Sequence, residues 1–511
     1  MSITGPGSIT AANVQAVNNM NNQLNTLSAE LGTGQAAQTY SGLGSQAGLA
    51  LALSAQLSAI NGYSSTATTV GTTLSIAQSA LTQLGDSGSA VQQSVSEQGA
   101  FTLDNNGQTS TQQAAAAQLD QILSLLNTQV GNNYIFSGSA VNQPSVASTN
   151  EILNGNGAQA GLTQVIADRL QADEGADNPP LGRLVIPPAA GSTISISEDV
   201  AGSLFGFKLA GVNSSLTGAT VTGPSPSPPN GQSISVDLGS NPNAGDSIEF
   251  DLTLPDGSSQ TITLQATTDS PPGANQFTIG TTPDDTATNL QTALTSAVQS
   301  LAQTALPAAS AIAAANNFFN SDPPQVVNAG NPPDYATATS LESGTPANTV
   351  FWYTGENGST PALQTATAAV GPSMTIAYGM RATEPAISSL VANVAVLAAT
   401  TYSATDPNAQ ASYQALSQSV MANLNGQSGT QSISDIEADL ANAQTTVSDA
   451  TKLNTQTQTT LQDMMQNIDG VNQDQIGEQI LTLQNSLSAS LSVTARLAQL
   501  SLVNFLAPSS G

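Results

Sequence analysis

From Ala11 to about Val130, apolar residues recur with the period of an α-helix. Val17, Met20, Leu24, Leu27 and Leu31 are spaced alternately three and four apart, which places them on one narrow stripe of a first helix. Gly32 and Gly34 follow and supply the expected C-terminal stop. After the loop Thr39 to Ser45, a second helix begins near Gln46. Its positions Ile60, Tyr63, Ala67, Val70, Leu74, Ala77, Leu81 and Leu84 keep the three–four alternation without a break. A strict average period of 3.5 predicts a coiled-coil seam, and this stretch would span roughly 37 Å at the helical rise. Asp104-Asn-Asn-Gly107 reads as a turn, and Thr111 to Val130 as a third helix.

The end of the chain has the same rhythm. Glu384-Pro385 opens a helix, with proline where its missing N–H costs nothing. A long stripe runs from Ile433 through Ile436, Leu440, Ala443, Val447 and Ala450. It crosses polar Asn454 and Thr457 and resumes at Leu461, Met464, Ile468 and Val471. A final helix from about Gln473 to Phe505 carries Ile476, Ile480, Leu483, Leu487 and Leu491 on one face. Leu497, Leu500, Leu502 and Phe505 make its end strongly apolar.

Between these zones the period drops to two. Ile248, Phe250, Leu252 and Leu254 alternate with polar residues, Pro255-Asp-Gly257 turns the chain, and Ile262 and Leu264 alternate on the return. Ile194 with Ile196, Ile234 with Val236, Phe277 with Ile279, and Val350 to Tyr353 read as further strands. A helical patch interrupts them at Ala287 to Leu306. The expected organisation is a helical segment 1–145, a β-rich α+β insert 146–384 and a helical segment 385–511. The expected class is mainly α: a long antiparallel coiled-coil-like bundle of the N- and C-terminal segments carrying the insert.

Charge narrows the chemistry. Six Lys and Arg stand against 34 Asp and Glu, for a net charge of −28, and only 8% of the 511 residues are charged. Histidine and cysteine are both missing, so this chain alone builds no Ser–His triad, cysteine nucleophile, zinc site or iron–sulfur cluster. Six basic residues cannot form the footprint that nucleic acid or an anionic membrane requires. No apolar run approaches the ~20 residues of a membrane span. The start, Met1 to Pro6, has neither the basic region nor the apolar core of a cleavable secretory signal.

The motifs that suggest catalysis dissolve on inspection. Gly42-Leu-Gly-Ser-Gln-Ala-Gly48 and Gly155-Asn-Gly-Ala-Gln-Ala-Gly161 are one residue too long for a dinucleotide fingerprint, and neither follows a buried strand. They read as turns and caps. Asp86-Ser-Gly88 matches the aspartic-protease tripeptide, but no second copy supplies the paired carboxylate. Asp104 to Gly107 starts like a calcium loop, but the position that should hold its Glu is Ala115. Neither an enzymatic activity nor a cofactor is expected.

The two ends resemble the bacterial flagellin family. Leu27-Ser-Ala-Glu-Leu-Gly-Thr-Gly34 is similar to the segment that closes the family's first helix. Ala47-Gly-Leu-Ala50 is similar to its step into the second, and Leu497-Ala-Gln-Leu-Ser-Leu-Val-Asn-Phe-Leu506 to its closing helix. These matches cover about residues 10–140 and 385–506. The family's usual Arg and paired Asp between the first two helices are replaced by Gln35 and by Gly44-Ser45-Gln46. Gly131-Asn-Asn-Tyr-Ile-Phe-Ser-Gly138 resembles instead a motif of the related hook–filament junction protein, hook-associated protein 3.

The resemblance implies a structural subunit of an extracellular flagellar filament, exported unfolded by the flagellar type III route. Its implied partners are further copies of itself, the hook-associated junction and cap proteins and an export chaperone. The terminal helices would then be assembly elements, through Val17, Met20, Leu24, Leu27, Leu31, Ile480, Leu483, Leu487, Leu491, Leu497, Leu500, Leu502 and Phe505. The large insert favours a filament subunit over the junction protein. A secreted surface- or carbohydrate-binding module on a helical stalk is the alternative from another class. Residues 190–380 would decorate the outside and be dispensable for assembly.

Overall fold

The computed structural model describes residues 6–37, 39–97, 100–227, 229, 231–426 and 429–506. The fold is mixed α+β. The helices are α1 Pro6–Thr33, α2 Ala47–Ser96, α3 Ser110–Leu126, α4 Thr149–Asn154, α5 Leu162–Glu174, α6 Pro283–Phe319, α7 Pro385–Ala399, α8 Ala409–Leu424, α9 Ile433–Asp469 and α10 Gln473–Leu506. Two compact units emerge, and they do not follow the sequence boundaries at 145/146 and 384/385. One comprises residues 1–71, 368–376 and 445–511, the other 72–367 and 377–444. Both α2 and α9 therefore contribute to each unit.

In the first unit, α1 packs along α10, with the end of α1 beside the start of α10. Gly34, at φ +71°, ends α1 by donating its N–H to Glu30 O; Gly32 lies inside the helix. The freed backbone then pairs with the turn between α9 and α10: Ala36 N donates to Asp469 O at 2.6 Å and Val471 N to Gly34 O at 3.2 Å. Leu53, Leu57, Ile60 and Tyr63 of α2 pack on Leu461, Met465 and Ile468 of α9. The polar break in the α9 stripe has a partner, because buried Asn454 donates Nδ2–H to Val370 O at 2.8 Å in a small hairpin. With the turn before it, α2 is long and apolar enough, by length and composition, to cross a membrane. No continuous apolar run of ~20 residues occurs in it; Ala, Leu, Ile and Val interleaved with uncharged Gly, Ser and Thr raise its average hydropathy.

The second unit is built around α7, which is buried all round, the pattern of a helix with no solvent face. It packs against α3, α6 and α8. Gly88 of α2 lets that helix approach α7 closely, since a Cβ there would stand 3.0 Å from Leu390 Cδ1. Gln112, fully buried, joins a capping box with Thr109 and donates to Leu397 O and Thr400 O, which ties the start of α3 to the end of α7.

Two four-stranded sheets complete this unit. Strands β1 Leu184–Val185, β2 Thr193–Glu198, β3 Lys208–Ser214, β4 Ala219–Ser225, β5 Ser233–Leu238, β6 Ser247–Thr253, β7 Ser259–Thr267 and β8 Gln276–Thr278 form the orders β1-β2-β5-β4 and β8-β7-β6-β3. All neighbours are antiparallel except β8 with β7. The β6–β7 hairpin closes as the alternation predicts, with Phe250 opposite Ile262 and Gly257 at φ +86° in the turn. Its inward residues join Leu290, Leu294 and Val298 of α6 in one core.

Helix α6 is almost twice the length read from the sequence, and its second half, Ala308 to Ala315, is buried. Alanines read weakly in a periodicity analysis but let helices pack closely. The strand expected at Val350–Tyr353 is replaced by isolated bridges, Ala160 with Thr349 and Val146 with Tyr353. Trp352 is buried there and donates Nε1–H to Phe319 O at 3.0 Å.

Candidate assembly surface

The buried stripe of α10 runs Ile476, Ile480, Leu483, Leu487, Ser490 and Thr494, and that of α1 runs Asn13, Val17, Met20, Leu24 and Leu27. Only Ile476 among them is buried, at 8% exposed; the rest of both stripes is half-covered. Two helices lying side by side can shield only part of each other's apolar face. Leu31 and Leu491, expected on the seam, are instead 37% and 50% exposed. Leu491 lies one position beyond Ser490, about 100° further round the helix. The side chains of Leu497, Leu500, Leu502 and Phe505 lie outside the described residues.

Apolar exposure is concentrated in this unit. Thirteen large apolar side chains are exposed among the described residues, and ten belong to it, including Val14, Leu49, Leu51, Leu453, Leu481, Leu491 and Val493. Charge has the opposite distribution. The first unit holds six acidic and two basic residues, a net −4; the second holds the other 28 and four, a net −24. No charged residue occurs between Glu30 and Asp86. A surface of Leu, Val, Ser, Thr, Asn and Gln can be buried against another protein without desolvating ions.

The second unit uses its basic residues internally. Arg169 Nε pairs with Asp173 Oδ2 at 2.7 Å, both side chains buried, with the guanidinium 4.9 Å above the Phe205 ring. Arg183 pairs with Asp199 at 2.9 Å and donates to Ala172 O, Ala336 O and Ala338 O. Arg381 is bonded to Glu356 and to Gly358 O and Thr360 O. Half-buried Lys208 donates to Phe205 O, and burial pulls its pKa down. Burial outweighs the Arg169 charge and pushes Asp173 up.

The catalytic look-alikes are structural. Asp86-Ser-Gly88 is a stretch of α2 with Ser87 and Gly88 buried. Asp104 Oδ1 accepts from the N–H groups of Asn106 and Gln108 and closes a turn. Gly155 and Gly161 flank a turn in which the backbones of Asn156 and Gln159 bond each other, and a Cβ on either glycine would strike backbone. Among the described residues, no group of three or more acidic side chains is placed to hold a metal ion.

A cleft of ≈ 1210 Å³ opens in the second unit between α2, the ends of α6 and α8, the start of α7 and the β6–β7 turn. Amides and hydroxyls, among them Gln92, Asn316, Asn320 and Asn423, dominate its polar lining, and it has no basic residue. No protein-family model matches the chain, and no curated protein matches it.

Proposed function

We propose that this chain is a self-assembling structural subunit of a bacterial flagellar filament. Its terminal segments form a long antiparallel coiled-coil-like bundle, and residues 146–384 are its surface-exposed insert. The observation that carries the reading is the opposite partition of apolar exposure and charge. Among the described residues, ten of the thirteen exposed large apolar side chains belong to a unit of net charge −4, and the chain's other −24 lies elsewhere. Copies that meet through the first unit bury apolar surface at roughly 25 cal/mol per Å² and bring few like charges together. The half-covered α1 and α10 stripes gain cover from neighbouring copies, which offsets the cost of ordering the ends of the chain. The resemblance of both ends to flagellins supports the same reading. No enzymatic step, cofactor, nucleic acid or membrane enters it.

Shearing cells and examining the released material tests the proposal. The expected result is an abundant band near 51.3 kDa and tubular filaments by electron microscopy that disappear with the gene. A faint band beside filaments of another protein would identify the junction subunit instead. Absence from the sheared fraction would favour the stalk-borne binding module.

A further inference from the structure

Ordinary proteins unfold in acid for two reasons. Carboxylates that are paired or hydrogen-bonded in the fold must take up protons, and the protonated chain then carries a large positive charge that repels itself. In an average composition about a quarter of residues are charged, with bases making up about half of them. A chain this long would then carry on the order of sixty positive charges once its carboxyls are neutral. Here the side chains retain six. The net charge is −28 at pH 7, reaches zero near pH 4.1 and ends at +6, so acidification weakens self-repulsion.

We infer that the fold is built to persist in an acidic medium, down to about pH 2, where side-chain carboxyls are protonated. Three of the six bases are buried, so the neutral groups around them matter once their carboxylate partners lose charge. Arg169, Arg183 and Arg381 are buried, each paired with a carboxylate, and each also meets a neutral group: the Phe205 ring for Arg169 and backbone carbonyls for Arg183 and Arg381. The carbonyl acceptors of Arg183 and Arg381 are neutral groups that do not titrate.

The local titrations oppose one another. Burial raises Asp168 (facing Gln164 and Tyr335), Asp173 (Arg169, Ser310 and the Gly206 N–H), Glu174 (Asp173) and Glu384 (Gln431, Asp439 and Arg381). A carboxyl raised in the fold binds its proton more tightly there, so it adds stability as pH falls through the folded value. Hydrogen bonds hold four others low: Asp104 by Gln108, Asn106 and Gln113, Asp246 by Thr217 and Asn243, Asp285 by Thr281 and Thr282, and Asp435 by Ser432. Their contribution is present at neutral pH and lost as pH falls through the folded value. The second group lies in exposed turns and helix caps, so its loss frays ends without opening a core.

This inference stands independently of the filament reading, and the test uses the full-length chain at dilution. Near-UV circular dichroism and dye binding to exposed apolar surface are followed from pH 7 to pH 2. Retained near-UV signal and no rise in dye fluorescence at pH 2 are expected. A lost near-UV signal with dye binding, the signature of an acid molten globule, overturns the inference. A second variant tests the cause. Lysine replaces about twenty exposed glutamines and serines, beginning with Gln121, Gln410, Gln414, Gln418 and Gln462; it would carry about −8 at neutral pH and about +26 in acid. It should fold at pH 7 and unfold by pH 2–3. Acid resistance equal to that of the parent chain would show that scarcity of base is not the reason.

Discussion

Arg169 and Asp173 show how much a single charge matters in a chain that has so few. Both side chains are buried, so removing one leaves the other uncompensated. Arg169→Met should cost about 3–5 kcal/mol in denaturant unfolding, whereas Arg169→Met with Asp173→Leu should recover most of it. An additive double variant would mean that the two residues do not act as a pair. Asn454 makes a comparable point without charge. Its amide satisfies Val370 O inside an otherwise apolar face, so Asn454→Ala should destabilise the first unit by about 1–3 kcal/mol, read by amide exchange in α9.

Among the elements, α10 and α6 have opposite characters. α10 carries its apolar stripe half-covered, so deleting residues 485–511 should leave a chain that is exported but does not polymerise. Normal filaments from that chain would remove α10 from the assembly elements. α6 belongs to the core. Leu290, Leu294 and Val298 pack with the sheets, while Ile312, Phe318 and Phe319 are buried further along the same helix, which packs on α7 and α8. The expectation that residues 190–380 are dispensable therefore changes. Their deletion strips α7 and α8 of a neighbour, and each large buried side chain lost costs about 2–5 kcal/mol. The shortened chain should be degraded or unfolded by circular dichroism; a stable one would show that the helices close up without α6.

For the molecule as a whole, base scarcity and charge partition make two further expectations. A Lys/Arg-specific protease should cut the native chain first at Lys452 and Arg496, which are exposed. Cuts after Arg169, Arg183 or Arg381 should appear only on unfolding, as followed by mass spectrometry. Self-association should also strengthen from pH 7 to about pH 4.5 as carboxylate repulsion falls. Sedimentation velocity reads this as a rising average sedimentation coefficient, and a flat profile would mean that repulsion does not limit association.

Periodicity by itself determined the long helices and the β6–β7 hairpin, because a 3–4 or a 2 repeat of large apolar residues constrains the local backbone directly. Composition by itself determined which chemistry this chain cannot perform alone. The glycine stop at Gly34 was legible for the same local reason, since positive φ is a property of one residue. Tertiary structure alone decided the two-unit division, the length of α6 and the place of α8, where alanine, serine and tyrosine at buried positions left no strong stripe to read. It alone decided that Leu31 and Leu491 are exposed and that Asn454 belongs inside, since a stripe defines a face and only the partner helix defines how much of it is covered. The separation of charge from apolar exposure was also invisible in sequence order. Its first unit is assembled from three separate stretches of chain, and only folding brings them together.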